Sequence, residues 1–437
     1  MTTEQQIALL DSSIHATQAV RDSLAGEHDR IHVHAGESIQ AAIDAAPHGA
    51  TIVIEPATYD EALVIGKSVM LAPSTPLRHG RATNDASVWV TSAADATILV
   101  TGTGITITGI GIRNRVDSYD AVDIYGARVL FDRCTALGDP AHGMRRGWLT
   151  HGTTTRILGC YCDDVFNIGR DTCCIGGWEG GADIIIDDCY LCGGAEGILY
   201  GGADCSAPDK IPHHITITHS TITKNPAWFA MGVTIKNALE LKAADHVYIA
   251  DCVWEYAGIS GGQAAYLIVL TVRNQDGNAP WSHVEDVLIE RCVCRYGGGG
   301  VSFLGHDDSY SSGSLDRVTL RNVKFTGMSP DGIWAQPPHY GSGWGAMFNN
   351  APLNVTLDGI TMEGTNMHTL GNFANVPNQP VGLVMRNWKY FPSEYGWKID
   401  GGSMDVPPAC DHLRELMPDL VYEITASDEG AVDYPSV

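Results

Sequence analysis

The stretch that decides the fold is ITITGIGIRN (105–114), because nine later segments of the 437-residue chain repeat its pattern. Each has a short β-branched run, two polar or small residues, and a second short apolar run. The later segments are VLFDRCTALG (129–138), TRILGCYCDD (155–164), IIIDDCYLCG (184–193), ITITHSTITK (215–224), VYIADCVWEY (247–256), VLIERCVCRY (287–296), VTLRNVKFTG (318–327), VTLDGITMEG (355–364) and LVMRNWKYF (383–391). Self-similarity at this period, about 24 to 40 residues, indicates a protein of stacked repeats.

The sixth position of the repeat is small or apolar, and five of the twelve cysteines occupy it. The residues at this position are Ile110, Cys134, Cys160, Cys189, Ser220, Cys252, Cys292, Val323, Ile360 and Trp388. A shared register position predicts an interior ladder of small side chains. Pairs such as Cys160-x-Cys162 leave disulfides or zinc binding as the less favoured alternatives.

Many repeats contain an earlier strand as well, so each repeat holds two or three strands. These earlier strands are AVDIYG (121–126), DVFNIG (164–169), EGILYGG (196–202), LELK (239–242), YLIVLTVRN (266–274), GVSFLG (300–305) and DGIWAQ (331–336). Strands of this length at this period predict an all-β parallel β-helix. Polar or Gly-rich insertions are predicted at 139–154, 203–214, 257–265, 275–284, 306–314 and 337–352, where binding groups often lie.

Both ends of the chain differ from the repeats. Residues 3–25 predict an amphipathic helix, giving a stem or attachment segment at 1–30, which would pack on its own body or on a partner. Residues 38–46 predict a short helix that caps a solenoid spanning 31–391. Residues 392–437 predict a C-terminal cap with an acidic tail.

The net charge of −24, from 27 basic and 51 acidic residues, argues against a nucleic-acid partner. No run of 18 apolar residues occurs, so no membrane-spanning helix is expected. The N-terminal residues lack the basic and apolar regions of a secretory signal. We therefore expect synthesis in the cytoplasm and a final location in a virion or outside the cell after lysis.

The run ESIQAAIDAAPHGATIVIEPATYDEALVIGKSVMLAP (37–73) resembles the opening of right-handed parallel β-helix proteins of the pectate-lyase-like superfamily. IKNALELKAADHVYIADCVWEY (235–256) and LTVRNQDGNAPWSHVEDVLIERCVCRYGGGGVSFLGHDD (270–308) resemble a broad group of bacterial β-helix repeat proteins. The resemblance covers about residues 31–391 and implies a right-handed β-helix. Its members include lyases, glycoside hydrolases, esterases, epimerases and phage tailspikes, so the reaction stays open.

A polar column is expected on the earlier strands and the loops after them, where side chains on successive turns lie about 4.8 Å apart and match an extended glycan. Its catalytic candidates are Glu240, Lys242, Arg273, His306, Asp307 and Asp308. Its substrate-binding candidates are Asp123, Asn167, Arg170, Asp171, Asn274, Trp281 and Trp334. A hydrolase would need two carboxylates, and a lyase a base with a group or Ca²⁺ that neutralises a uronate. A turn-to-turn salt-bridge stack is the structural alternative, and no other metal or cofactor is expected.

Three functions fit this pattern. The first is a virion-associated protein, such as a phage tailspike or appendage, that binds or cleaves a surface polysaccharide; residues 3–25 would attach it or form a homotrimer. The second is a bacterial polysaccharide lyase or glycoside hydrolase. The third is a structural or decoration β-helix without enzymatic activity.

Overall fold

The chain folds into a parallel β-helix with three long sheets, seen in a computed structural model that describes residues 30–75, 77, 80–259, 264–333, 343–364, 368–371, 379–390, 397–399, 402–404 and 421–424. Each turn runs through sheet A, sheet B and sheet C in that order. Every pairing within these sheets is parallel, as in the pairs formed by strands Ala127–Asp132, Thr135–Leu137 and Asp120–Ile124 with the next turn. The right-handed parallel β-helix predicted from the repeats is therefore confirmed.

The strands of the three sheets are short, mostly of three to six residues. Sheet A contains Arg30–Val33, Ala50–Ile54, Val69–Pro73, Thr103–Thr108, Ala127–Asp132, Thr153–Leu158, Ala182–Asp187, His213–Thr218, Ala244–Ala250, Val284–Glu290, Leu315–Arg321, Leu353–Asp358, Val384–Tyr390 and Val421–Ile424. Sheet B contains Thr58–Asp60, Val88–Ser92, Ile110–Asn114, Thr135–Leu137, Tyr161–Val165, Tyr190–Gly193, Thr221–Thr223, Val253–Glu255, Val293–Arg295, Lys324–Met328 and Thr361–Gly364. Sheet C contains Leu63–Ile65, Ala96–Val100, Asp120–Ile124, Arg146–Thr150, Cys173–Gly177, Glu196–Tyr200, Leu239–Leu241, Tyr266–Thr271, Gly299–Leu304, Trp344–Asn349 and His368–Gly371.

The remaining described elements are few. Two 3₁₀ turns, Pro208–Lys210 and Pro226–Ala230, lie in connecting loops. Strand Val384–Tyr390 pairs with both sheet A and sheet B, so the two sheets join there. In the segment predicted as a C-terminal cap and tail, Val421–Ile424 adds a strand to sheet A, and Trp397–Ile399 pairs antiparallel with Gly402–Met404.

The corner between sheets A and B explains the ten-fold repeat. The fifth residue of the pattern adopts the left-handed conformation, with φ of 51° at Asp188 and 48° at His219, and this single residue turns the chain. The sixth residue then points into the interior. All eleven described cysteines are buried and free, which confirms the interior ladder. Ser220 fits the ladder because its hydroxyl donates to the Thr218 carbonyl and accepts the backbone N–H of Cys189.

A helix covers the described N-terminal end of the solenoid, as the sequence predicts for residues 38–46. It spans Ile39–Ala45, and the Ser38 side chain caps it by accepting the Ala41 N–H at 3.1 Å. Ile39 and Ile43 are buried in the main core. The amphipathic helix predicted at 3–25 lies outside the described residues. No helix in the described part of the chain is long and apolar enough to cross a membrane.

Three sequence interpretations of strands and insertions are wrong. The insertion predicted at 139–154 contains the sheet C strand Arg146–Thr150, and that at 337–352 contains Trp344–Asn349. The segment predicted as a sheet C strand at 164–169 instead ends the sheet B strand Tyr161–Val165 and continues as a loop; sheet C receives Cys173–Gly177 in that turn. Small residues explain the missed strand CCIGG, whose side chains fill the interior but carry little strand propensity.

Candidate functional site

The predicted polar column corresponds to one register position that recurs on successive strands of sheet C. Register pairs align Asp123, Leu149, Gly176, Leu199, Glu240, Val269 and Ser302 on successive turns. Asp123 and Glu240 therefore share one position but are four turns apart, roughly 19 Å at the usual strand spacing. The apolar residues between them divide the column into two separate polar clusters.

The first group, the Asp123 cluster, consists of Asp120, Asp123 and Arg146. Asp120 and Arg146 are in register on adjacent strands, and the guanidinium donates to the Asp120 carboxylate at 3.4 Å. Burial, together with the negative charge of Asp120, raises the pKa of Asp123 to about 7. Burial also raises the pKa of Asp120, although Arg146 opposes this shift. Asp120 is therefore the carboxylate that ionises more readily, and Asp123 holds its proton near neutral pH.

Aromatic side chains follow the strands of the Asp123 cluster. Tyr125 is 56% exposed and stacks on His151, with ring centroids 5.0 Å apart. Trp178 meets His151 edge-on at 4.3 Å, and the Arg146 guanidinium lies over the Trp178 ring at 5.3 Å. His151 donates to the Glu179 carbonyl at 3.0 Å, which fixes its ring. An exposed aromatic surface thus adjoins the acidic pair.

The second cluster, formed by Glu196, Lys236, Glu240 and Lys242, is buried. Lys242 lies 3.3 Å from the Glu240 carboxylate, so the predicted pair does share a face, but Glu240 is only 1% exposed. Glu196 on the neighbouring strand is fully buried, and its carboxylate makes no hydrogen bond among the described residues. Burial and the Glu240 charge raise the pKa of Glu196 well above its usual range. Lys236, whose ammonium lies 3.7 Å from the Glu196 carboxylate, opposes this shift.

Two connecting loops are joined to each other near the strand that carries Glu240. The loops after the two strands that flank Leu239–Leu241 are joined by Asp204. Its carboxylate accepts the backbone N–H groups of Asp276 at 3.1 Å and Asn278 at 2.8 Å. With only 1% of its surface exposed, Glu240 is not accessible to a glycan on the outer face of sheet C.

The predicted candidates after residue 272 form an ion-paired loop cluster. Arg273 donates to Asp308 at 2.8 Å, and its backbone N–H donates to the Lys242 carbonyl. The Asp307 carboxylate accepts three backbone N–H groups, from Asn274, Ser309 and Tyr310, and these bonds lower its pKa. The exposed His306 ring donates to the Asp307 carbonyl.

Asn274 joins the same loops, since its amide donates to the Ser311 carbonyl and accepts the Ala279 N–H. These contacts bring Arg273, Asp307 and Asp308 together. The catalytic role of the six candidates stays a prediction.

The other predicted binding residues that the structure describes lie in connecting loops, and one of them, Asp171, contacts the second cluster. Asn167, Arg170 and Asp171 lie in the loop between sheets B and C, where Asn167 donates to Asp117 and Asp171 pairs with Lys236 at 2.6 Å. Arg170 is exposed, and Trp281 is half-buried. Trp334 lies outside the described residues.

The sequence interpretation identified Asp123 but missed the groups that set its chemistry. Asp120, Tyr125 and Arg146 all lie at the ends of sheet C strands. Only the strand register could have shown that these residues lie together. Asp120 and Arg146 start successive sheet C strands, and this alignment can be read from the sequence only if Arg146–Thr150 is recognised as a strand.

With the architecture established, the class of protein is the parallel β-helix solenoid. The chain is similar to a mannuronic acid specific polysaccharide family 6 lyase from human gut microbiota, with a TM-score of 0.54 and 10% identity over 90% of this chain and 85% of that one. It is also similar to the polygalacturonase from Erwinia carotovora ssp. carotovora, with a TM-score of 0.50 and 12% identity over 86% of this chain and 96% of that one. At these identities the likeness shows the fold alone. No protein-family model matches the chain, and a comparison with curated proteins gives no match.

Proposed function

We propose that this protein binds a polysaccharide along the outer face of sheet C and hydrolyses it at the Asp123 cluster. The observation that supports this proposal most strongly is the half-buried Asp123 carboxyl, whose pKa is about 7. A proton is therefore available at neutral pH, next to the more acidic carboxyl of Asp120. Glycoside hydrolysis uses one carboxylic acid and one carboxylate. Asp123 would protonate the leaving oxygen, and Asp120 would serve as the ionised partner.

The surroundings of Asp123 support a glycan as the substrate. Tyr125 offers an exposed ring on which an apolar sugar face could stack. Arg146, positioned between Asp120 and the Trp178 ring, could donate to sugar hydroxyls or to a uronate carboxylate. The regular rise of the strands would present these groups to several sugar units of an extended chain. The shared fold of a lyase and a polygalacturonase adds support at the level of architecture.

A lyase is the second candidate, and one observation favours it. Burial and the neighbouring Arg146 lower the pKa of the Arg145 guanidinium, which lies next to the Asp123 cluster. A lyase needs such a base to remove a proton beside a uronate. Arg145 would then be the base and Arg146 the group that neutralises the uronate.

The experiment that tests this proposal incubates the full chain with alginate, polygalacturonate, neutral glucans and bacterial capsular polysaccharides. Hydrolysis would give new reducing ends without ultraviolet absorbance from an unsaturated uronide. Elimination would give both signals and would support the lyase alternative. Binding without either signal would overturn cleavage and leave the non-enzymatic alternative, while neither binding nor products on any of these glycans would count against the whole proposal.

A virion-associated homotrimer is the proposed setting for this activity. It rests on the predicted amphipathic stem at residues 3–25. We expect light scattering to give a trimer mass for the full chain and a lower mass after removal of residues 1–26. A monomeric full chain would contradict the trimer and leave the glycan proposal standing, because the Asp123 cluster lies within one chain.

A further inference from the structure

A mixed cluster of histidine and aspartate lies on the outer side of sheet A, away from the Asp123 cluster. Asp245 and His246 belong to strand Ala244–Ala250, and Asp286 belongs to the next strand, Val284–Glu290. One nitrogen or oxygen from each of these half-buried residues lies within 4.8 Å of the other two. The cluster also borders a surface pocket of about 270 Å³, which gives it access to solvent.

Two contacts in the cluster are too long for direct hydrogen bonds. His246 Nε2 lies 4.0 Å from Asp286 Oδ2, too far for a hydrogen bond. His283 Nε2 lies 4.0 Å from Asp245 Oδ2 and brings a second imidazole to the same carboxylate. Zinc bonds to imidazole nitrogen and carboxylate oxygen are about 2.0–2.2 Å long, so small side-chain rotations would bring these atoms around one ion.

Two buried side-chain atoms of this cluster lack hydrogen bonds, which also favours a bound ion there. Asp245 Oδ1 and His246 Nδ1 are buried, and neither makes a hydrogen bond of acceptable geometry to any described residue. The two atoms are nevertheless 2.7 Å apart. Buried polar atoms of this kind are costly unless a ligand or ion satisfies them.

The backbone holds these side chains in a stack. Register places His214, His246, Asp286 and Arg317 at the same point of successive turns, all with φ between 50° and 54°. The His214 and His246 rings consequently stack, with centroids 4.8 Å apart and planes 12° from parallel. This repeated left-handed conformation aims the side chains along one line and limits their freedom before any ion binds.

The nearby positive charge is already neutralised. Arg317 donates to both oxygens of Asp286, but it also pairs with Glu285 and Asp316. Three carboxylates therefore share one guanidinium, and Asp245 adds a fourth negative charge. The local field favours a cation.

We propose that Asp245, His246 and Asp286 bind a divalent transition-metal ion of the zinc class, with His283 as the fourth donor. Two imidazoles and two carboxylates form a donor set suited to zinc or cobalt. Because the ligands come from adjacent turns, the ion would clamp one turn of the solenoid to the next. This inference does not depend on the proposed glycan activity.

Titration of the metal-free full chain with Zn²⁺, followed by calorimetry, tests the site. We expect one equivalent to bind and the thermal midpoint to rise with Zn²⁺ concentration. His246→Ala should weaken binding at least about tenfold, as losses of metal-site residues commonly do. His219→Ala is the matched control, since His219 forms a similar surface pair with Asp187 at 2.7 Å; it should bind as the wild type does.

Asp286→Asn and cobalt spectra keep the test decisive if His246→Ala disturbs folding. Asp286→Asn should also lose Zn²⁺ affinity while keeping the native circular dichroism spectrum. Co²⁺ should give weak d–d bands without a thiolate charge-transfer band, because the ligands are nitrogen and oxygen. A thiolate band, unchanged affinity in both variants, or no binding by the wild type would each overturn the proposal.

Discussion

Replacing Asp123 with asparagine is expected to slow glycan cleavage about 10²–10⁴-fold, the usual contribution of a general acid. The amide is nearly the same size as the carboxyl but cannot give up a proton to the leaving oxygen. Because Asp123 would donate its proton in the transition state and not on substrate binding, most of the loss should appear in kcat and little in KM. Initial rates of reducing-end formation by the wild type and by Asp123→Asn measure this difference.

The pH profile provides a second readout of the same residue. With a pKa of about 7, Asp123 is protonated below neutrality and loses its proton as the pH rises through 7. We therefore expect kcat of the wild type to fall above about pH 7, and Asp123→Asn to lose this alkaline limb. A wild-type rate that is flat from pH 5 to pH 9 would contradict the assignment.

Asp164→Asn is the matched control, because Asp164 is also a half-buried carboxyl whose pKa burial raises, in this case to about 6. It lies on the sheet B strand Tyr161–Val165, away from the sheet C column. The substitution removes the same charge from a similar environment, so it should leave the cleavage rate within about twofold of the wild type. Equal losses in the two variants would show that a general change of charge or stability, not acid catalysis, causes the effect.

Stability should change in the opposite direction from activity. The folded-state pKa of Asp123 lies above that of an unfolded aspartate, so its contribution to stability is complete below about pH 4 and is lost as the pH rises to 7. Asp123→Asn removes the buried charge and should therefore raise the free energy of unfolding at pH 8, by a few kcal/mol at most. At pH 4 the two proteins should be nearly equal in stability.

The repeat made the fold predictable, because one register position recurs with the same residue type. The sixth position of the repeat was enough to predict the cysteine ladder. Cys134, Cys160 and Cys189 are buried because the left-handed residue before each of them turns its side chain inward. The strands of sheet C were harder to predict, since they lie outside the repeated segments and some consist of glycine, cysteine or isolated aromatic residues.

The site was only partly predictable for a related reason. The chemistry of Asp123 depends on Asp120 from its own strand and on Arg146 from the next turn, and that turn was interpreted as an insertion. Glu240 and Lys242 were correctly paired from their spacing, but their spacing did not predict that Glu240 is only 1% exposed. Spacing along one strand predicts which side chains share a face, whereas accessibility depends on contacts between distant loops.

Trp148→Ala is expected to cost about 3–5 kcal/mol of unfolding free energy, the usual range for removing a buried tryptophan. Trp148 is completely buried on the interior side of strand Arg146–Thr150, and its indole meets the Phe131 ring edge-on at 6.1 Å. Its register neighbours, Val122 and Ile175, are much smaller and cannot fill the space. Urea unfolding followed by circular dichroism measures the loss.

Trp148→Phe separates packing from polarity at the same position. Phenylalanine keeps most of the ring volume and removes an indole N–H that has no hydrogen-bond partner in the described part of the chain. We therefore expect a cost below about 1.5 kcal/mol. Because each turn of a solenoid is stabilised mainly by its neighbours, the alanine cavity should also loosen the contacts of the turns beside it. Hydrogen exchange should then accelerate in strands Asp120–Ile124 and Cys173–Gly177 before it does in distant turns, and equal costs for the two substitutions would contradict a packing role for Trp148.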